Sequence, residues 1–139
     1  MTTTPGLVSD LMTKDVVTLG QNETLRSADD LMRLGRIRHL PVVDGDGLLT
    51  GIVTQRDLFH SGLLRALGYG AHAKQQALDG LAVKEAMRNE VVTTTPDTPL
   101  AEAAKKMFEL KIGCLVVVEG QKIAGVLTES DFVRRAAGI

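Results

Sequence analysis

The sequence predicts an α/β protein of the α+β type, built as two tandem β-α-β-β-α motifs packed with pseudo-twofold symmetry. Three observations lead there. Val8–His60 is repeated as Val83–Arg135, so that Met12 falls on Met87, Val16-Val17-Thr18 on Val91-Val92-Thr93, Leu25 on Leu100, Ala28 on Ala103, Met32 on Met107 and Ile37 on Ile112. Within each copy one helical periodicity precedes two β-branched runs joined across a glycine turn. The chain has 139 residues, the length of one ordinary domain, so two copies must share it, and neither half buries enough surface to stand alone.

Each copy opens with a short polar-apolar segment ending at its methionine, and the β-branched patch that follows is expected to form a short strand. The first long helix is predicted over Thr24–Leu34. Asn22 or Thr24 is its N-cap, Leu25, Ala28, Leu31 and Met32 its apolar face, and Gly35 its terminator. Pro99 opens the equivalent helix, where a missing N–H is harmless. The hairpins are Leu40–Asp44 with Leu48–Thr54, and Leu115–Glu119 with Ile123–Thr128, turning at Gly45-Asp46-Gly47 and Gly120-Gln121. A one-residue deletion in the first of these turns then sets Gly51, Thr54 and Asp57 against Gly125, Thr128 and Asp131. A second helix follows each hairpin, with Leu58, Phe59, Leu63 and Leu64 on one and Phe132, Val133, Ala136 and Ala137 on the other. The chain therefore divides into an N-terminal tail (1–7), motif one (8–60), a connector (61–82) with a short helix around Ala71–Leu78, and motif two (83–139).

Composition excludes several classes of function. Hydrophobic residues make up 44% and charged residues 24%, the balance of a globular chain rather than a disordered one. A formal net charge of −1 and 3% aromatics provide neither the field nor the stacking platform for nucleic acid. No apolar run approaches the roughly 20 residues that span a bilayer, and the N-terminus lacks a signal-peptide pattern, so a cytoplasmic location and no membrane partner are expected. Cys114 is the single cysteine and sits in an apolar run, which fits a buried thiol. His60 and His72 lack metal-ligand spacing, and Asp44-Gly45-Asp46-Gly47 lacks the later ligands of a calcium loop. With no nucleophile-base-acid set, metal signature or Gly-rich phosphate loop, the chain is not expected to be an enzyme.

The chemistry concentrates where each hairpin runs into its helix, at Thr54-Gln55-Arg56-Asp57 and Thr128-Glu129-Ser130-Asp131. Free N–H groups and the helix dipole suit an anion there, and a carboxylate on the first turn can accept hydrogen bonds from two neighbouring hydroxyls, such as those of a ribose. The same Thr-x-x-Asp spacing also suits a plain capping box. Capping alone does not require an apolar dipeptide behind a glycine both times, as in Gly51-Ile52-Val53-Thr54 and Gly125-Val126-Leu127-Thr128.

With Leu40-Pro41-Val42-Val43-Asp44, the repeated Gly-h-h-Thr-x-x-Asp (h apolar) and the openings Asp10-Leu11-Met12 and Glu85-Ala86-Met87, the chain resembles a stand-alone tandem pair of cystathionine-β-synthase (CBS) domains, a Bateman module. The resemblance implies a non-enzymatic regulatory sensor, without a required cofactor, whose regulatory ligand is AMP, ADP, ATP, S-adenosylmethionine or a dinucleotide such as NAD. It implies clefts with the adenine side from one copy and the Thr-x-x-Asp clamp from the other. One site then combines Thr18, Arg38, His39, Leu40 and Pro41 with Thr128 and Asp131. The other combines Thr93, Gly113, Cys114 and Leu115 with Thr54 and Asp57. Arg38 and His39 give the first site the charge that suits phosphates, whereas Gly113 and Cys114 offer none, and Val116 replaces Pro41. Arg134-Arg135 complement the last helix dipole or reach a phosphate tail. The resemblance further implies a homodimer of four motifs in a disc and an unidentified target protein. The alternative reading is a ligand-free interaction protein that docks through its helices, and its apolar excess is Leu63, Leu64, Phe108, Phe132 and Val133.

Overall fold

The computed structural model describes residues 6–59 and 78–139. His60, Leu63, Leu64, His72 and most of the expected connector helix lie outside them. The elements are α1 (Val8–Leu11), β1 (Leu19–Gly20), α2 (Leu25–Gly35), β2 (His39–Val43), β3 (Leu49–Thr54), α3 (Val83–Ala86), β4 (Thr93–Thr94), α4 (Leu100–Leu110), β5 (Cys114–Glu119), β6 (Lys122–Thr128) and α5 (Glu129–Ala137). Residues 55–59 form the helical turn that follows β3.

Two compact units result: Val17–Val91, the first unit, and Val92–Ile139 together with the residues before Val17, the second. In each, a three-stranded sheet has its hairpin strands antiparallel and its short first strand parallel to the middle one, in the orders β1-β2-β3 and β4-β5-β6. A parallel neighbour requires a crossover, and α2 and α4 supply it. Register places Leu40 opposite Val53 and Leu115 opposite Leu127, all buried, while His39 faces Thr54 and Cys114 faces Thr128 across the hairpin.

The long helices bury the expected periodic face. Leu25, Ala28 and Met32 of α2 join Leu40, Val42 and Val53 in the first core, and Leu100, Ala103 and Met107 of α4 join Leu115, Val117 and Leu127 in the second. Each large side chain so buried contributes about 1.5–3 kcal/mol of transfer free energy. Thr24 caps α2 by accepting the Ser27 N–H at 3.2 Å.

Three expectations need correction. Gly35 is the last residue of α2 rather than its terminator; the left-handed position is Arg36, at φ 52°, whose N–H reaches the Met32 carbonyl. Lys111 does the same after α4 at φ 55°. The turn is held from beyond it: Ile37 and Ile112 also donate to the Met32 and Met107 carbonyls and pack on the cores, so the next apolar anchor decides the turning residue. In the second repeat the β-branched patch supplies Thr93 to β4, opposite Val116, but in the first the patch leads into the strand rather than forming it. Val17 and Thr18 are exposed, and pairing starts at Leu19, the first side chain that can bury against the sheet. On α5, Val133 is 66% exposed and Ala136 and Ala137 are exposed, while Asp131 turns inward.

The sequence left the segments ending at Met12 and Met87 without an assigned element. They are short helices, α1 and α3, and the residue after each methionine pairs with a strand edge. Thr13 exchanges two backbone hydrogen bonds with Val126, at 2.9 and 3.0 Å, and Arg88 exchanges two with Ile52 at the same lengths. Repeat and packing unit therefore have different boundaries: the opening segment of the first repeat belongs to the sheet of the second, and α3 to the sheet of the first. At both contacts a glycine admits the strap. A Cβ on Gly125 would lie 2.8 Å from Met12 Sδ and from the Thr13 carbonyl oxygen. On Gly51 it would lie 2.6 Å from Met87 Sδ and 2.9 Å from the Arg88 oxygen.

Candidate functional site

Where β3 and β6 run into helix, Thr54 and Thr128 stand at the last strand position and Asp57 and Asp131 on the first helical turn. Each carboxylate folds back onto its threonine: Oδ2 of Asp57 accepts the Thr54 N–H at 2.9 Å, and Oδ2 of Asp131 accepts the Thr128 N–H at 2.8 Å. Asp57 N–H returns to Thr54 Oγ1 at 3.2 Å, whereas the Thr128 hydroxyl donates to Asp131. Both motifs are thus capping structures in their own right. The first-turn donors are also partly used, because the Gln55 and Glu129 N–H groups reach the Arg38 and Gly113 carbonyls at 2.8 and 3.2 Å. The expectation of free first-turn N–H groups is corrected accordingly: the residues preceding β2 and β5 tie down one of them in each unit.

The straps complete the two clamps differently. Arg88 Nε reaches Asp57 Oδ1 at 3.3 Å, and the Asp57 side chain is 12% exposed. In the equivalent slot of the second unit, the Thr13 hydroxyl donates to Asp131 Oδ1 at 3.1 Å, and Arg134 from the next turn pairs with the same oxygen. An ionised carboxylate offers about four lone-pair positions. At Asp131 four donors occupy them: the Thr128 N–H, the Thr128 and Thr13 hydroxyls and Arg134. At Asp57, among the described residues, the Thr54 N–H and Arg88 are the donors, which leaves room for more.

Of the remaining site residues, Arg38, His39, Gly113 and Cys114 adjoin the clamps of their own units. Thr18 and Arg38 are exposed, His39 is half-buried, and Leu40 and Pro41 are buried in β2, with His39 directly across from Thr54. In the second unit Thr93 and Gly113 are half-buried, Cys114 and Leu115 are buried, and Cys114 lies across from Thr128. Burial, reinforced by the Asp131 carboxylate, pushes the Cys114 thiol up to about 12, so it stays protonated at neutral pH. Leu40 and Leu115 face the cores, which leaves their backbone as the part able to meet a ligand.

Sequence reasoning missed three cationic contacts. Arg88 attends Asp57, Arg134 attends Asp131, and Lys106 Nζ donates to the Thr93 carbonyl at 2.9 Å. Charge is therefore not confined to Arg38 and His39. Only Arg134 had a usable local signal, its spacing of three from Asp131. Among the described residues no helix is long and apolar enough to cross a membrane, and no group of three or more His, Cys, Asp or Glu side chains could hold a metal ion.

The CBS domain family model matches residues 8–63 and again 83–138. The chain belongs to the CBS domain family. Among solved structures, the AcuB protein of Vibrio cholerae superposes on this CBS pair with a TM-score of 0.83 at 36% identity, over 97% of this chain and 93% of that one. The CBS domain pair of protein MJ0100, solved with 5′-methylthioadenosine and S-adenosyl-L-methionine, gives 0.77 at 29%, over 97% and 98%. CBSX2 in complex with AMP gives 0.78 at 26%, over 95% and 96%. Homoserine O-acetyltransferase of Methanohalobium evestigatum is 32% identical over 128 residues, which are 91% of this chain and 23% of that protein. The CBS pair thus spans about a quarter of that relative's length.

Proposed function

We propose that this CBS pair is a non-catalytic sensor of adenosine-type ligands, with the ribose hydroxyls donating to the clamp aspartates and the adenine side along Thr18 and Arg38–Pro41 or Thr93 and Gly113–Leu115. The observation that carries this reading is the Asp57 clamp. Its carboxylate is anchored by the Thr54 backbone, partly open to solvent, and retains acceptor positions that capping does not use. Relatives of the same fold solved with AMP, S-adenosylmethionine or methylthioadenosine support the adenosine class. Asp131 holds a ligand in this reading only by exchanging one of its present donors, so the two clamps differ in strength. Isothermal titration with AMP, ATP, S-adenosylmethionine and NAD is expected to give saturable heat with at least one of them. A silent protein across that panel overturns the proposal.

The helices also favour a docking role. Leu34 of α2, Phe108 and Leu110 of α4 and Val133 of α5 are between 52% and 86% exposed, as is Phe59. Apolar side chains of this size in solvent suit an interface, and the partner we assign is a second copy of this chain. Sedimentation at micromolar concentration is expected to give a dimer, and a monomer there excludes that assignment.

A further inference from the structure

The residue after each opening methionine occupies one structural slot in both units. Its backbone is fixed by two hydrogen bonds to a strand edge, and its side chain reaches Oδ1 of the clamp aspartate. The slot holds a hydroxyl, Thr13, in the second unit and a guanidinium, Arg88, in the first. We infer that this slot sets how strongly each clamp prefers a phosphorylated ligand, with Arg88 as the specificity-determining cation of the Asp57 clamp. The inference rests on the adenosine reading above and adds to it a residue that neither the repeat nor the resemblance assigns.

The chemistry follows from what a nucleotide brings to the clamp. A ribose that donates its 2′ and 3′ hydroxyls to Asp57 carries its 5′-phosphate across the same furanose ring. Arg88 engages Asp57 through Nε, and its side chain is 62% exposed, so its terminal nitrogens can turn to a phosphate while the backbone stays pinned. A guanidinium presents paired donors that match a phosphate, and exchanging one anion for another conserves its charge pairing. The move also frees Oδ1 for the sugar. Thr13 can do none of this beyond offering one hydroxyl. In the second unit the cation comes instead from Arg134, on the clamp's own helix.

The test compares adenosine with AMP, which differ only in the phosphate, by isothermal titration of the parent protein, Arg88→Thr, Arg88→Lys and Thr13→Arg. Arg88→Thr copies the slot of the other unit and leaves Asp57 a hydroxyl partner, and thermal melting checks that each variant is folded. The expected result is a roughly tenfold fall in the ratio of AMP to adenosine affinity at one class of sites in Arg88→Thr. Arg88→Lys should fall between, and Thr13→Arg should raise AMP over adenosine. Equal losses for both ligands, or no change in their ratio, overturn the role of the slot while leaving the adenosine reading in place. A parent protein that binds neither ligand overturns the adenosine reading itself, and this inference with it.

Discussion

Alanine at Gly125 is expected to cost about 2–3 kcal/mol of stability, read as a fall in the midpoint of urea unfolding. The added methyl has no place to go. It would meet Met12 Sδ and the Thr13 carbonyl oxygen, each at 2.8 Å. The thioether can swing away, but the carbonyl cannot, because it accepts the Val126 N–H in the bridge that holds the opening segment to β6. Met12→Ala in the same chain should therefore restore only part of the loss. Gly45→Ala supplies the control, since nothing lies within 4 Å of a Cβ there. If Gly125→Ala unfolds at the same midpoint as Gly45→Ala, the close approach of the strap is disproved.

Asp131→Ala and Asp57→Ala are expected to separate stability from binding. Asp131 has a side chain only 1% exposed and four donors upon it, so its removal orphans the Thr128 N–H and leaves the Thr13 hydroxyl and Arg134 without their acceptor. Loss of a helix cap together with buried hydrogen bonds amounts to about 2–4 kcal/mol, and the exposure of Arg134 keeps the figure from the higher range of fully buried pairs. Asp57 is more open and less encumbered, and its alanine variant should lose about 1 kcal/mol, close to a cap alone. Nucleotide heat should follow the opposite order, vanishing from the Asp57 clamp in Asp57→Ala and disappearing altogether in the double variant. Urea unfolding and titration of the same four proteins provide both readings. Equal destabilisation by the two substitutions would contradict the unequal donor sets.

Local interactions were legible in the chain. Asn22 and Thr24 marked the cap, which Thr24 makes, the spacing of Leu25, Ala28 and Met32 announces the buried face, and Gly47 and Gly120 mark hairpin turns whose φ values of 80° and 67° favour glycine. The clamps were legible as positions, because Thr-x-x-Asp recurs. What fills them was not. Arg88 reaches Asp57 from 31 residues away and Thr13 reaches Asp131 from 118, distances over which periodicity carries no information. The helix ends were misread for a different reason. Gly35 is the residue that local propensity selects, but the burial of Ile37 moves the left-handed position one residue on, to Arg36. Gly51 and Gly125 look like signature letters of the clamp, yet each is required by a methionine and a carbonyl resting on the strand.

The interleaving of repeats and packing units bears on how such chains can be cut and joined. A break in the 61–82 segment would respect the repeat in the gene but separate each sheet from the strap that covers its glycine, so neither product would be a complete folding unit. Breaks at Val16/Val17 and Val91/Val92 respect the packing instead. The heritable module is accordingly the pair: a single copy carries its own clamp, and also the part that finishes its sibling's.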